Sequence, residues 1–252
     1  MLNKLIMEFQ RYTDQKRLAF ISSVLQKSIT IVAEVLDIGC GNGIISRSLG
    51  ASGFNVLGVD VSEKAIEKAK MLNKFSNVRF QVRSAEQLVA DGHQYEAIIC
   101  SEVLEHLQNP DILLKVLRQI LKENGVLIVT VPNGKGGREM FVTKPVQKIM
   151  KNFPICWKGL NWIKGMLGYK GTTVQSDADD LSHVQFFTVK TLSELAFNAG
   201  FKISYWGKSN FLEDVFPFSL LTKRVKKLQK FDCDLAERLP LRLTGGFFTV
   251  WN

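Results

Sequence analysis

Apolar positions along the chain follow two spacings. Over residues 1–28 they recur three and four apart (Leu2, Leu5, Ile6 and Phe9, then Leu18, Ile21, Val24 and Leu25), which predicts helix. From residue 31 short apolar runs alternate with amphipathic segments. Ile31–Asp37, Asn55–Asp60, Val78–Val82, Tyr95–Ser101 and Val126–Val131 read as strands, with helices over Gly43–Ala51, Ser62–Asn73 and Pro110–Glu123 between them. Ser62 is placed to cap one helix, with Glu63 in its first turn, and Asn124-Gly125 marks the end of another. Thr188–Ala199 reads as a helix stopped by Gly200, followed by strands at Phe201–Trp206 and Gly246–Trp251. Strands that are apolar on both faces and joined by helices form a mostly parallel sheet covered on both sides. The expected class is therefore α/β, doubly wound, with seven strands.

Residues 134–182 break this rhythm. They are Gly-rich, basic and aromatic, with Phe141, Phe153, Trp157, Trp162 and Tyr169, and a short apolar stripe of Val146, Ile149, Met150 and Phe153 after Pro145. The segment reads as a cap inserted over the binding edge of the sheet. The chain then divides, as one domain, into N-terminal helices (1–30), a nucleotide-binding half (31–133), the cap (134–182) and the closing part of the sheet (183–252).

Composition narrows the class without naming a reaction. A 252-residue chain with 46% apolar and 23% charged residues has ample core to bury, so disordered and fibrous classes drop out. No apolar run approaches the ~18–20 residues of a membrane span, and the opening MLNKLIMEFQR is charged where a signal peptide needs an apolar stretch. Cys40, Cys100, Cys156 and Cys233 are scattered without a C-x-x-C pair and read as reduced thiols, which places the chain in the cytoplasm. The net charge of +9 is local. Residues 134–176 hold eight lysines and arginines against Glu139 alone, and Lys223, Arg224, Lys226, Lys227 and Lys230 form a second cluster. What remains is slightly acidic.

The strongest chemical signal is Val35-Leu36-Asp37-Ile38-Gly39-Cys40-Gly41-Asn42-Gly43, lying between a predicted strand and a helix. Glycines there let the backbone turn tightly and approach a ligand near a helix N-terminus. Asp60 ends the next strand, where a carboxylate can accept bonds from both hydroxyls of a ribose. A nicotinamide or flavin fingerprint needs glycine or alanine at position 44, and Ile44 stands there.

With these residues the chain resembles the class I S-adenosylmethionine-dependent methyltransferases and their Rossmann-like fold. The resemblance rests on VLDIGCGNG, GVD at 58–60, SAEQL at 84–88, ICSEVLEHL at 99–107, LKENGVLIVTVPN at 121–133 and HVQFFTVKTLSELAFNAGF at 183–201. It implies S-adenosylmethionine as cofactor. Gly39, Cys40 and Gly41 would line its methionine portion, with Asp37 beneath them and Ser101 nearby. Asp60 with Val61 would hold the ribose, and Ser84 and Ala85 would border the adenine. Many relatives carry aspartate where this chain has Ser84. The run Arg17-Leu18-x-x-Ile21 is similar to an N-terminal arginine that meets the cofactor's carboxylate in quinone-biosynthesis relatives; a solvated helix residue is the competing reading of Arg17.

Methyl transfer from a sulfonium is an in-line displacement, and an oxygen acceptor needs a general base or a metal ion to free its lone pair. Ser101-Glu102-Val103-Leu104-Glu105-His106 follows the strand whose end faces the methyl group. If residues 102–107 begin a helical turn, Glu102, Glu105 and His106 share one face. Two carboxylates and an imidazole so placed suit Mg²⁺, Mn²⁺ or Zn²⁺. The pattern resembles ubiquinone-biosynthesis O-methyltransferases and small-RNA 2′-O-methyltransferases, the latter with a downstream histidine for which His183 is the candidate. His106 as a metal-free base or substrate contact, and plain packing, stand beside the metal reading. The Asn/Asp-Pro-Pro-aromatic turn of base N-methyltransferases is absent, which argues against that acceptor class.

The basic segments admit three readings: single-stranded nucleic acid, an anionic membrane or lipid-linked substrate, and a solvated face or an acidic small substrate. In 211–230, Phe218, Leu221, Val225 and Leu228 form a stripe flanked by lysines, as in an interfacial helix. The sequence thus points to a cytoplasmic methyltransferase acting on a small or lipid-linked acceptor at oxygen, with peripheral contact to an anionic membrane as one option. An RNA 2′-O-methyltransferase and a non-catalytic cofactor-binding partner are the alternatives.

Overall fold

The computed structural model describes residues 8–9, 11–136, 184–213, 218, 222 and 225–252. Most of the cap at 134–182, including its apolar stripe, and His183 lie outside the described residues. Helix α1 (Tyr12–Ser28) leads into β1 (Glu34–Ile38), α2 (Ile44–Ala51), β2 (Asn55–Asp60), α3 (Glu63–Leu72), β3 (Val78–Val82), α4 (Ala85–Ala90) and β4 (Tyr95–Ser101). A short 3₁₀ turn at Leu104–His106 precedes α5 (Pro110–Ile120) and β5 (Leu121–Pro132). The chain closes with α6 (Val189–Asn198), β6 (Ile203–Lys208), α7 (Lys226–Arg238), a second 3₁₀ turn at Leu241–Leu243 and β7 (Gly246–Trp251).

The seven strands lie in the order β3-β2-β1-β4-β5-β7-β6. Pairs among β1 to β5 are parallel, and β7 runs antiparallel to both β5 and β6. Successive strand residues point to opposite faces, so the two apolar sets of each strand build two cores. Val35, Val56, Ala97, Ile99 and Ile128 pack with Leu18, Ile21 and Leu25 of α1, Ile44 and Leu49 of α2, and Ile66 and Ala69 of α3. Leu36, Leu57, Ile98, Leu127 and Val129 pack with Leu88 of α4, Leu114 and Leu117 of α5, and Leu192 and Ala196 of α6. This is the doubly wound α/β arrangement expected from the sequence. The strand order reverses between β1 and β4, which opens a crevice at their carboxyl ends.

Several boundaries differ from the sequence expectation: the first described helix begins at Tyr12, β6 runs Ile203–Lys208 and not Phe201–Trp206, and two further differences have a plain cause. The first strand begins at Glu34, leaving Ile31 and Val32 exposed, because pairing with β2 starts only at Glu34 opposite Asn55. The fifth helix ends at Ile120, and Asn124-Gly125 lies within β5. Tyr95 pairs with Leu121 and Ala97 with Val126, so the turn signal marks an exposed excursion in the strand and not the helix end. Other punctuation holds: Ser62 Oγ accepts from Ala65 N at 3.3 Å, and Gly200 stands at φ 80° after α6. Cys40, Cys100 and Cys233 are free and buried.

Candidate active site

The loop after β1 is shaped by its glycines. Gly39, Gly41 and Gly43 have φ of 67°, 55° and 74°, in the left-handed region that costs other L-residues roughly 1–2 kcal/mol. Space is as restrictive as conformation at Gly39, where an added Cβ would lie 2.5 Å from Val103 Cγ2. The turn after β1 is thereby pressed against the turn after β4.

Asp60 is tied into this loop. Its Oδ2 accepts from Gly41 N at 2.9 Å and its Oδ1 from Ser62 N at 2.8 Å, so the carboxylate stands fixed at the end of β2 beside the glycine turn. Asp37 lies deeper and accepts from Ser46 Oγ at 2.5 Å. Burial, opposed by the Ser46 hydroxyl and reinforced by the nearby Asp60 charge, raises its carboxyl to about 7. Burial, with Asp37 and Asp60 nearby, also pushes the Cys40 thiol well above its ordinary value. Ser84 begins α4, where its N–H donates to Gln87 Oε1 at 2.9 Å, and Ala85 is buried beside Leu88. Val61 is exposed just past Asp60. This edge suits a nucleoside: a glycine turn that lets a ligand approach the backbone closely, a fixed carboxylate at the end of the next strand, and the small residues Ser84 and Ala85 beyond it.

Across the crevice a second group surrounds the end of β4. Ser101 and Thr130 hydroxyls lie 2.9 Å apart, and Thr130 Oγ1 donates to Glu102 Oε1 at 3.1 Å. Since Thr130 donates to the carboxylate, Ser101 donates to Thr130. Glu102 is the one non-glycine among the described residues with positive φ, 57°, and its N–H donates to Thr130 O at 2.9 Å. Arg17, buried in α1, brings Nη2 within 3.4 Å of Glu102 Oε2 and Nη1 within 3.5 Å of Asp14 Oδ1. Arg11 grips the same Asp14 with Nε and Nη2 at 3.0 and 2.9 Å. Arg17 is thus part of a charged wall and not a solvated helix residue. Arg11, Thr13, Arg17, Glu102, Val131, Pro132, Ser209, Asn210, Phe211, Gly245, Gly246 and Phe248 line one small cleft that opens to solvent.

The expected helical face bearing Glu102, Glu105 and His106 does not form. Glu102 sits in a left-handed conformation ahead of a turn that begins only at Leu104, so the spacing of three and four carries no common face. Glu102 lines the cleft, whereas Glu105 is buried near Cys100 with His106 Nε2 at 3.7 Å. Among the described residues no group of three or more His, Cys, Asp and Glu side chains could hold a metal ion. The Glu105 carbonyl instead anchors the returning chain, accepting from Val184 N at 2.8 Å and Gln185 N at 2.9 Å.

Sequence reasoning missed Thr130, Arg11, Thr13 and the Ser209–Phe211 wall. A signal existed for the helix: Asp14, Arg17, Ile21 and Leu25 continue one buried stripe, and charged residues in core register mark a site. Nothing local distinguishes Ser209–Phe211: Ser209 N donates to Gly246 O at 3.1 Å and Asn210 O accepts from Gly245 N at 2.7 Å, while Asp232 of α7 accepts from Phe211, Leu212 and Glu213 N–H groups at 2.9, 2.8 and 3.1 Å.

Comparisons with known proteins agree with this architecture. A family model described as a methyltransferase domain matches residues 8–205. A ubiquinone biosynthesis O-methyltransferase from Nitrosospira multiformis is 31% identical over 124 residues, covering 48% of this chain and 52% of that protein. One of the same name from Pelagibacter ubique is 27% identical over 166 residues, covering 66% and 65%. The chain therefore spans about half to two thirds of the length of these relatives. Among solved structures, an S-adenosylmethionine-dependent methyltransferase from Listeria monocytogenes superposes with TM-score 0.56 at 17% identity, over 93% of this chain and 96% of that one. Magnesium protoporphyrin IX methyltransferase from Synechocystis with bound SAH gives 0.54 at 17% identity, over 95% and 83%. At these identities the structural likeness is one of fold.

Proposed function

The chain belongs to the methyltransferase domain family, and on that premise we propose that it transfers the methyl group of S-adenosylmethionine to a hydroxyl of a small, lipid-linked acceptor. The observation that carries the reading is the juxtaposition of two built groups at one sheet edge. The left-handed glycine turn with Asp60 attached lies on one side, and Glu102 with Arg17 in the cleft lies on the other.

The residues present fit the cofactor. Gly39, Cys40 and Gly41 would line its methionine portion, Asp60 and Val61 its ribose, and Ser84 and Ala85 its adenine, with Ser101 close to the reacting end. When bound, S-adenosylmethionine supplies an activated methyl on a sulfonium. The chain's own contribution is to seat the acceptor hydroxyl in the Arg17–Glu102 cleft, exclude water, and accept its proton at the Glu102 carboxylate. Thr130 and Arg17 fix that carboxylate in place, and the unusual backbone of Glu102 turns it into the cleft. The described residues do not assemble a divalent-ion site. Oxygen as acceptor atom and a lipid-linked acceptor are supported by Glu102 in the cleft and by the names of the sequence relatives.

Incubation with methyl-labelled S-adenosylmethionine and a prenylated catechol tests the reading. The expected product carries the label as an alkali-stable methyl ether, and Asp60→Ala lowers cofactor affinity by about 1.5–3 kcal/mol in calorimetry. Cofactor binding unaffected by Asp60→Ala, or label found on nitrogen or carbon, overturns it.

A further inference from the structure

Helix α7 is amphipathic the wrong way round for a helix that only packs on a core. Its buried face is Gln229, Asp232, Cys233 and Ala236, while Leu228 and Phe231 are exposed at 41% and 65%. Polar partners hold its inner face, beside the buried Cys233 and Ala236. Tyr12 N donates to Gln229 Oε1 at 2.9 Å, Gln229 Nε2 donates to Thr222 O at 2.9 Å, and Asp232 holds residues 211–213. Thr13 Oγ1 also lies 3.6 Å from Cys233 Sγ. The large apolar residues therefore serve no packing role that the described structure reveals. They form an outward pair one turn apart, preceded by Val225, which is exposed at 43%.

Charge runs along the same surface. Lys226, Lys227 and Lys230 are exposed beside this pair, with no acidic residue between 225 and 231. Of the acidic residues farther along α7, Glu237 is paired with Lys16 at 2.7 Å, leaving Asp234 exposed. Apolar side chains flanked on one side by lysines match an anionic lipid interface, with the apolar groups among the acyl chains and the ammonium groups at the headgroups.

We propose that the outer face of α7 docks on an anionic membrane surface through Val225, Leu228 and Phe231, with Lys226, Lys227 and Lys230 at the headgroups. The inner face of the same helix holds the segment that supplies Ser209, Asn210 and Phe211 to the cleft. Docking thus sets the cleft beside the lipid phase. This deepens the lipid-linked reading of the acceptor and rests on it for its purpose, while the docking itself is measured without turnover.

The test is flotation of the full chain with phosphatidylglycerol–phosphatidylcholine vesicles and with pure phosphatidylcholine vesicles, at low and high salt. Flotation with the anionic vesicles alone, reversed by salt, is expected. Leu228→Ser with Phe231→Ser, and separately Lys226→Glu with Lys227→Glu and Lys230→Glu, lower the bound fraction roughly tenfold or more. Both variants retain wild-type cofactor affinity and circular dichroism. Three results overturn the proposal: no flotation with anionic vesicles, variants that float like wild type, or a wild-type dimer that Phe231→Ser converts to monomer. Loss of flotation with methyl transfer to a soluble acceptor intact separates failure of docking from failure of the reaction.

Discussion

Arg17 and Glu102 face one another at 3.4 Å across the cleft, one from the N-terminal helix and one from the turn after β4. The arginine is buried and shared with Asp14, so its charge is held in place before any ligand arrives. Glu102 reaches it from a left-handed backbone, with Thr130 on its other oxygen. A carboxylate gripped in this way has a defined direction, which a general base requires.

Glu102→Gln keeps the size and one acceptor oxygen but removes the base. The expected outcome is a fall in kcat of roughly a hundredfold or more with KM for S-adenosylmethionine within a few fold. Steady-state kinetics with varied cofactor separates the two. A Gln variant that turns over like wild type would move the proton acceptor elsewhere, with His106 the next candidate.

Gly39→Ala meets two separate penalties, the positive φ and the contact with Val103 Cγ2. It should lose about 2–4 kcal/mol of stability, and cofactor binding should weaken by at least about tenfold. Adding Val103→Ala relieves only the contact, so the double variant recovers part of the stability in urea denaturation. Full recovery would mean that backbone conformation at 39 costs nothing. No recovery would mean that Val103 is not the obstacle.

Asp232→Ala removes one acceptor from three backbone N–H groups in a nearly closed setting. Unpaired buried donors are expensive, and a loss of about 2–4 kcal/mol is expected, with Asp232→Asn intermediate. Acceptor KM should rise more than cofactor KM, because Phe211 lines the cleft and no residue of the glycine turn does. Equal changes in both would show that the effect is global.

Most of the architecture could be read from the chain because the strands are buried on both faces and the helices carry one apolar stripe. Ile31 and Val32 misled because apolar character alone does not make a strand; β2 offers no partner before Asn55. Asn124-Gly125 misled because the same turn chemistry serves a helix end and an excursion inside β5. The glycine turn and Asp60 were legible from spacing, since the tight backbone is local. The geometry of Glu102 and Glu105 was not. Whether residues 102–107 start a helix is decided by the pull of Thr130 and Arg17, both distant in sequence. Ser209 to Phe211 were invisible for the same reason, being held by Gly245 and Gly246 and by the Asp232 carboxylate, all twenty or more residues on.

Asp37 gives the fold a pH dependence of unusual sign. Its carboxyl stands at about 7 in the folded chain against an ordinary 3.8, chiefly because burial penalises the charge. At low pH both the folded and the unfolded states hold the proton, and the group costs nothing. As pH rises past the ordinary value the unfolded state ionises while the folded state keeps its proton, so the unfolded state is favoured by up to about 1.4 kcal/mol per pH unit. The penalty stops growing once pH passes the folded value. Stability linked to this group is therefore greatest in acid and declines between about pH 4 and pH 7, opposite to a salt-bridged carboxylate. Asp37→Asn retains an oxygen to accept from Ser46 and carries no charge in either state. Urea midpoints measured at about pH 5 and pH 8 should show the wild type losing more stability than the variant, by at least ~2 kcal/mol. Parallel behaviour of the two proteins would place an ionised carboxylate at 37 in the folded state, and with it a second fixed negative charge beside Asp60 under the glycine turn.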